Sequence, residues 1–190
     1  IFDVALGDFN QDGWMDALLA KRIGNNELWL GHDNGVFTLD TNQTFSGGLT
    51  QAVAVGDING DGWLDAFFAN YGQGDKIWLN NGSGTFVLNQ TLPDTAQNNS
   101  ASVGVVLGDL NGDGWLDAFV PMYKRPNQVW LNNGSGNFPE VKLSDDMDAS
   151  EFTYGAALGD IDGDGCLDVF EVTQKSNVSS KVYINDCTGE

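Results

Sequence analysis

The sequence predicts an all-β protein of the β-propeller class, and three observations carry that reading. A ten-residue pattern, Gly-Asp-apolar-Asn/Asp-x-Asp-Gly-x-apolar-Asp, occurs four times: GDFNQDGWMD from Gly7, GDINGDGWLD from Gly56, GDLNGDGWLD from Gly108 and GDIDGDGCLD from Gly159. Its first aspartates, Asp8, Asp57, Asp109 and Asp160, are 49, 52 and 51 residues apart. That is the size of one four-stranded propeller blade. The flanks are short apolar runs bounded by Gly and Asp, such as VALGD and DALLA around the first copy and AALGD and DVFEV around the last. Such runs suit buried strands, and no segment holds a 3.6-residue apolar period over three turns.

Each repeat reads as four strands in order. Strand one ends at the acidic loop and strand two leaves it. Strand three is NELWLG, DKIWLN, NQVWLN or SKVYIN. A tight turn follows, HDNG or NGSG, which is a hairpin signal. Strand four begins as VFTLD, TFVLN or NFPEV. The expected repeats are 1–49, 50–101, 102–152 and 153–190, the last without its fourth strand. Ile1 falls inside a first strand and Glu190 falls where a fourth should begin. Three arrangements fit: part of a longer propeller, a unit completed by a neighbouring chain, and a closed four-bladed ring.

The loops have the chemistry of a calcium site. Calcium takes six to eight oxygens in a flexible shell, and alternate residues of a short loop can turn toward one centre. Positions 1, 3, 5 and 9 supply side-chain oxygens: Asp8, Asn10, Asp12 and Asp16; Asp57, Asn59, Asp61 and Asp65; Asp109, Asn111, Asp113 and Asp117; Asp160, Asp162, Asp164 and Asp168. Position 7 is expected to give a main-chain carbonyl, so its side chain varies: Trp14, Trp63, Trp115 and Cys166. Position 6 is Gly in every copy, where a sharp bend calls for positive φ. The alternative is a set of Asp/Asn/Gly turns that bind nothing. Against it stands the cost of packing three or four carboxylates into nine residues without a counterion. Magnesium keeps its waters and suits such a cage less well. An EF-hand would need flanking helices, and a β-helical calcium repeat would recur every nine residues.

The loop, the W-L-N-N-G strand and turn, and the G-x-F start of strand four together resemble the FG-GAP/VCBS repeat family, which includes the integrin α-subunit propeller. The resemblance covers nearly the whole chain. It implies a propeller, commonly of about seven blades, with a calcium ion between strands one and two of each blade. Four Ca²⁺ sites are therefore expected. Gln11, where the other copies have Gly, departs from the pattern at a position that is not a ligand.

The two cysteines fall at informative places in the repeat. Cys166 occupies the loop position of Trp14, Trp63 and Trp115, and Cys187 that of the turn glycines Gly35, Gly82 and Gly134. A Cys166–Cys187 disulfide is expected to replace an indole-on-turn contact, and it implies an oxidising compartment. Six N-x-S/T sequons, at Asn42, Asn81, Asn89, Asn98, Asn133 and Asn177, also fit a secreted chain. The sequence has no 18-residue apolar span. Extracellular calcium modules bind with Kd of roughly 10⁻⁴–10⁻³ M, so about 1 mM calcium contributes roughly 0.4–1.4 kcal/mol per site. A total of 5–15 kcal/mol is typical of a domain, so four such sites matter to stability.

The net charge is −19, which four calcium ions only partly offset; this excludes nucleic acid as a partner. Of eight basic residues, Lys21, Arg22, Lys76, Lys124, Arg125, Lys175 and Lys181 lie between strands two and three. They suggest a basic rim, opposite the acidic loops, that would engage a carboxylated or sulfated glycan or an acidic protein. The plainer reading is solubilising charge at strand ends. Trp29, Trp78 and Trp130 recur at one fixed strand position and suit packing, whereas Tyr71 and Tyr123 are better placed for ligand contact. No catalytic set stands out: the single His32 lies in a polar turn, and neither cysteine has an evident base. The expected function is a calcium-stabilised extracellular module for adhesion or assembly, with head-to-tail self-association as one route. A glycan-binding lectin module and a non-catalytic part of a polysaccharide-degrading enzyme are the alternatives.

Overall fold

A computed structural model describes residues 1–46, 48–93, 101–143, 153–173 and 180–187. They form fifteen strands in four antiparallel sheets, with no helix among the described residues. Sheet one holds β1 (Asp3–Gly7), β2 (Asp16–Ala20), β3 (Glu27–Gly31) and β4 (Phe37–Leu39). Sheet two holds β5 (Thr50–Gly56), β6 (Asp65–Asn70), β7 (Lys76–Asn80) and β8 (Phe86–Thr91). Sheet three holds β9 (Val106–Gly108), β10 (Asp117–Val120), β11 (Gln128–Leu131) and β12 (Glu140–Leu143). Sheet four holds β13 (Thr153–Gly159), β14 (Asp168–Thr173) and β15 (Lys181–Tyr183). In every sheet, neighbouring strands are consecutive in sequence. This is the meander expected of propeller blades.

The register places each acidic loop identically. Gly7 pairs with Asp16, Gly56 with Asp65, Gly108 with Asp117 and Gly159 with Asp168. The loops therefore close the first hairpin at one end of each sheet, and the connections between second and third strands lie at the other end.

Successive sheets pack face to face through three apolar cores. Phe9, Leu18, Leu28 and Phe45 meet Val53, Phe68, Trp78 and Phe86 between sheets one and two. Phe45 makes edge contacts with Phe68 and Trp78, with ring centroids 5.3 and 5.2 Å apart. Ile58, Phe67 and Ile77 meet Ala118, Val120, Trp130 and Phe138 between sheets two and three. Leu110 and Phe119 meet Val169 and its neighbours between sheets three and four. The strand alternation explains this: odd and even residues of a central strand face opposite sheets, so β6 and β10 are buried throughout and are apolar from Ala66 to Ala69 and from Ala118 to Val120.

Hydrogen bonds fix these packed faces in register. In repeats two to four the side-chain amide of the Asn at the end of the third strand reaches the preceding loop: Asn80 Nδ2 donates to the Phe9 carbonyl at 2.8 Å, Asn132 Nδ2 to Ile58 at 2.8 Å and Asn185 Nδ2 to Leu110 at 2.7 Å. A glutamine, past β4 in sheet one and within β8 in sheet two, clamps the next sheet. Gln43 both accepts from the Phe86 N–H (2.8 Å) and donates to its carbonyl (3.1 Å), and Gln90 does the same at Phe138 (2.9 and 3.1 Å).

Repeat three has a displaced strand. The pattern NFPEV places its strand four from Asn137, yet β12 starts at Glu140. Pro139 has no N–H to give to a ladder; Phe86, held by Gln43 as Phe138 is by Gln90 but followed by Val87, starts β8 directly.

At the far end, the residue before each third strand staples it to the second. Asn26 Oδ1 accepts from Lys21 N–H (2.8 Å), Asp75 Oδ1 from Asn70 (2.7 Å) and Asn127 Oδ1 from Met122 (2.9 Å). The third interface adds a buried carboxylate. Glu171 on β14 takes a place held by Phe68 and Val120 in earlier sheets, and is fully buried. It accepts from Asn127 Nδ2 (3.0 Å), from the Tyr183 hydroxyl (2.8 Å) and from Thr153 Oγ1.

Asn132→Ala removes the donor to a buried main-chain carbonyl. It is expected to destabilise the protein by about 1–3 kcal/mol, read as a lower urea midpoint with the denaturant slope unchanged.

Candidate metal centres

The acidic loops fold by satisfying their own main chain with their acidic side chains. In loop one, Asp8 Oδ1 accepts from Asp12 N–H (3.0 Å) and Oδ2 from Gly13 N–H (2.9 Å). Asn10 Oδ1 accepts from the same Asp12 N–H (3.0 Å), and Asp12 Oδ1 from Trp14 N–H (2.9 Å). Positions 1, 3 and 5 are thereby drawn around one turn. Loop two repeats this with Asp57, Asn59 and Asp61, at 2.9–3.0 Å to the amides of Asp61, Gly62 and Trp63. Loop three does so with Asp109, Asn111 and Asp113, at 2.8–3.1 Å to those of Asp113, Gly114 and Trp115. In loop four Asp160 accepts from Gly165 (3.1 Å), Asp162 from Asp164 (3.1 Å) and Asp164 from Cys166 (2.8 Å).

The expected glycine at position 6 has φ of 92°, 87°, 88° and 93° at Gly13, Gly62, Gly114 and Gly165. Position 4 is left-handed as well, at Gly60, Gly112 and Gly163 and also at Gln11, with φ 55°. Gln11 gains a contact there: its Nε2 donates to the Gly62 carbonyl of the next loop at 3.0 Å.

Position 9 is the anchor. Asp16, Asp65, Asp117 and Asp168 are fully buried. One oxygen of each holds the position-2 amide, of Phe9 (2.9 Å), Ile58 (2.9 Å), Leu110 (3.1 Å) or Ile161 (2.7 Å). The other holds the amide where strand three meets its turn, of Gly31 (2.8 Å), Asn80 (2.7 Å), Asn132 (2.8 Å) or Asn185 (2.8 Å). A carboxylate has about four acceptor sites; these amides take two of them, or three at Asp65, whose Oδ2 also accepts from Asn59 N–H (3.3 Å), so each aspartate keeps at least one for a cation. In loop four, one oxygen each from Asp160, Asp162 and Asp168 lies within 4.8 Å of the others. An all-oxygen set of this kind suits a hard divalent cation such as Ca²⁺.

Electrostatics point the same way. Burial pushes the Asp65 carboxyl up to about 6 from 3.8, against the lowering by the Asn80 and Ile58 amides and with Asp61 adding to the rise. Burial does the same at Asp117, up to about 6, with Asp113 and Asp109 adding to it. Asp16 is raised too, chiefly by burial. Asp168 moves down, held by the amides of Asn185 and Ile161.

The cysteines form the expected disulfide, with Cα atoms 5.3 Å apart. Cys187 stands at the position of Gly82 and Gly134, but Gly35 is not their counterpart in repeat one. Gly31 pairs with Phe37 as Asn80 pairs with Phe86, so Asp33 matches Gly82 and Gly35 matches Gly84.

The strand tryptophans pack as expected. Trp78 and Trp130 are buried, and Trp29 and Trp130 donate from Nε1 to Glu27 (3.1 Å) and Gln128 (3.0 Å). Repeat two carries Lys76 at that acceptor position, and Trp78 Nε1 is buried without a partner.

Among the sequons, Asn42, Asn81 and Asn133 are exposed. Asn89 donates from Nδ2 to the Gly136 carbonyl at 2.8 Å, so the atom a glycan would take is engaged across two sheets. Asn98 and Asn177, like Lys175, lie outside the described residues. Of the basic residues, Lys21 is paired with Glu27, Lys76 donates to the Ser46 carbonyl at 2.8 Å, and Arg22 lies 5.3 Å from the Phe2 ring centre. Among the described residues, no helix is long and apolar enough to cross a membrane.

The FG-GAP-like repeat pattern matches three times, over residues 8–68, 57–120 and 122–171. This chain belongs to the FG-GAP-like repeat family. No curated protein matches it. Among solved structures it is similar to the Photorhabdus luminescens Tc holotoxin pore, with TM-score 0.56 and 19% identity over 98% of this chain and 9% of that one. It is similar also to the V. cholerae biofilm matrix protein Bap1, with TM-score 0.53 and 19% identity over 93% of this chain and 29% of that one. BBS1N, solved in complex with ARL6DN, gives TM-score 0.52 and 12% identity over 96% and 53%. At these identities the likeness is one of fold, and the FG-GAP-like chain spans about half or less of each of these proteins.

Without metal, Asp65 and Asp117 stabilise the fold as neutral groups. Their folded pKa of about 6 lies above the usual 3.8. Their contribution is therefore complete below about pH 4 and lost as pH rises through about 6. In chelator the protein is expected to melt at a lower temperature at pH 7 than at pH 5, and the gain on adding calcium is expected to be larger at pH 7. Calorimetry at both pH values, with and without chelator, checks both expectations.

Proposed function

We propose that this chain is a calcium-stabilised structural or adhesive module that works outside the cell, with one Ca²⁺ in each of its four loops. The observation that carries the reading is the buried position-9 aspartate, present in all four loops and joined to the same main-chain groups each time. Each of these four carboxylates stands beside further acids, no cationic side chain forms an ion pair with any of them among the described residues, and a divalent ion answers that charge. The Cys166–Cys187 disulfide supports an oxidising setting, where calcium is near millimolar. Two proteins of similar fold are a holotoxin pore and a biofilm matrix protein, which fits work outside the cell. Sheets one and four each keep one broad face uncovered, with Val4, Leu6, Phe170 and Val172 exposed; head-to-tail assembly would use those faces. The module acts by binding rather than by catalysis in this reading.

A second reading rests on the far end of the sheets. Tyr71 and Tyr123 stand with ring centroids 6.4 Å apart, and Lys124 Nζ lies 5.2 Å from the Tyr123 ring centre. Two phenol rings beside a cation suit an acidic glycan or an acidic protein loop.

Chelation is expected to lower the melting temperature by several degrees, and an unchanged melting curve would sink the calcium reading. Asp61→Ala is expected to cost about 2–4 °C in millimolar calcium and little in chelator. For the second reading, an array of sulfated and uronic-acid glycans should retain the protein. Tyr123→Ala should abolish that retention without moving the melting temperature.

A further inference from the structure

Besides Gln11 in loop one, the four loops differ outside their ligand sets in the contact between position 7 and the turn after strand three. In repeats two and three an indole lies across that turn. A Cβ added at Gly82 would stand 3.3 Å from Trp63 Nε1, and one added at Gly134 would stand 2.6 Å from Trp115 Cε2. Only glycine leaves room for the ring there, and both glycines have φ of 82°. In repeat four the same two positions are joined by the Cys166–Cys187 disulfide, with Cys187 at φ 61°. In repeat one the turn residue is Asp33 in place of glycine. There Trp14, Met15, His32, Asp33 and Phe37 line an open cavity of about 320 Å³. The clamp is covalent in one repeat and packed in two, and repeat one lacks the glycine that admits the ring.

Resting on the calcium reading above, we infer that this clamp ranks the four sites: loop four fills first, loops two and three together, and loop one last. Position 7 is the expected main-chain ligand, and its N–H is already held by the position-5 carboxylate. A clamp on its side chain fixes the remaining freedom of that residue before the ion arrives, so less order is imposed on binding. Support of this outer kind is worth roughly tenfold or more in metal affinity.

Charge alone also favours loop four, because Asp162 replaces the Asn of the other loops. Two perturbations separate clamp from charge. A dithiol such as dithiothreitol cleaves the S–S bond, passing two electrons and two protons to Cys166 and Cys187 and closing its own cyclic disulfide; the ligand set is untouched. Asp33→Gly removes a carboxylate near loop one. Charge then predicts weaker binding there, and the clamp predicts tighter binding, because Trp14 can close over the turn.

Calcium chloride titration of the nitrogen-15-labelled protein reads each loop through the amide of Gly13, Gly62, Gly114 or Gly165. The Gly165 midpoint is expected lowest and to rise roughly tenfold in dithiothreitol, with the Gly62 and Gly114 midpoints unchanged. Asp33→Gly is expected to lower the Gly13 midpoint. The double substitution Cys166→Trp with Cys187→Gly rebuilds the packed clamp; its Gly165 midpoint should be indifferent to dithiothreitol. Midpoints unmoved by reduction, or a Gly13 midpoint raised by Asp33→Gly, overturn the ranking. If no loop amide shifts with calcium at any concentration, the calcium reading itself fails instead.

Discussion

Everything at the loop end of this molecule depends on a buried carboxylate that shares its two oxygens between two strands. Each position-9 aspartate joins the amide of its own loop to the amide at the end of its third strand. The residue holding that second amide is, in three repeats, the asparagine whose side chain crosses to the preceding loop. A continuous relay results: Gly31 to Asp16 to Phe9, then Asn80 to Asp65 to Ile58, Asn132 to Asp117 to Leu110, and Asn185 to Asp168 to Ile161. Local loop geometry and the docking of sheet on sheet are therefore one network. Disturbing a loop disturbs the interface beside it.

The same placement carries a cost. Full burial raises Asp65 and Asp117 well above the ordinary carboxylate range, because desolvation outweighs the amides each one receives, three at Asp65 and two at Asp117. A fold that keeps such groups ionised at neutral pH needs a positive charge close by. The nearby lysines stand at the opposite end of the sheets, paired with Glu27 or bound to Ser46. The protein thus separates its charges along the strand direction instead of pairing them across the loop.

Much of this was legible in the sequence because the repeat made it so. Four copies of one pattern at near-constant spacing located the loops and the strands either side, and the Cys166–Cys187 pair emerged by comparing repeats. What stayed hidden were features found once or found across interfaces. The Gln43 and Gln90 clamps look like ordinary polar residues in the sequence, because the backbone they hold belongs to the next sheet. The slip between Gly35 and Asp33 arose because both HDNG and NGSG contain a glycine, at different places in the turn. The left-handed Gln11 shows that position 4 tolerates a side chain when the next loop offers it a carbonyl.

The repeats look interchangeable, yet the far end gives each a fixed address in the chain. Glu171 is buried against Asn127, which can donate to it. The residue equivalent to Asn127 in repeat two is Asp75, an acceptor already bonded to Asn70 and Ser102. Placing repeat four directly after repeat two would set two carboxylates against each other in a dry interface. Deleting repeat three is therefore barred by a polar mismatch, even though the apolar faces and the acidic loops would still match. Gene rearrangements within this chain should preserve the order of repeats three and four.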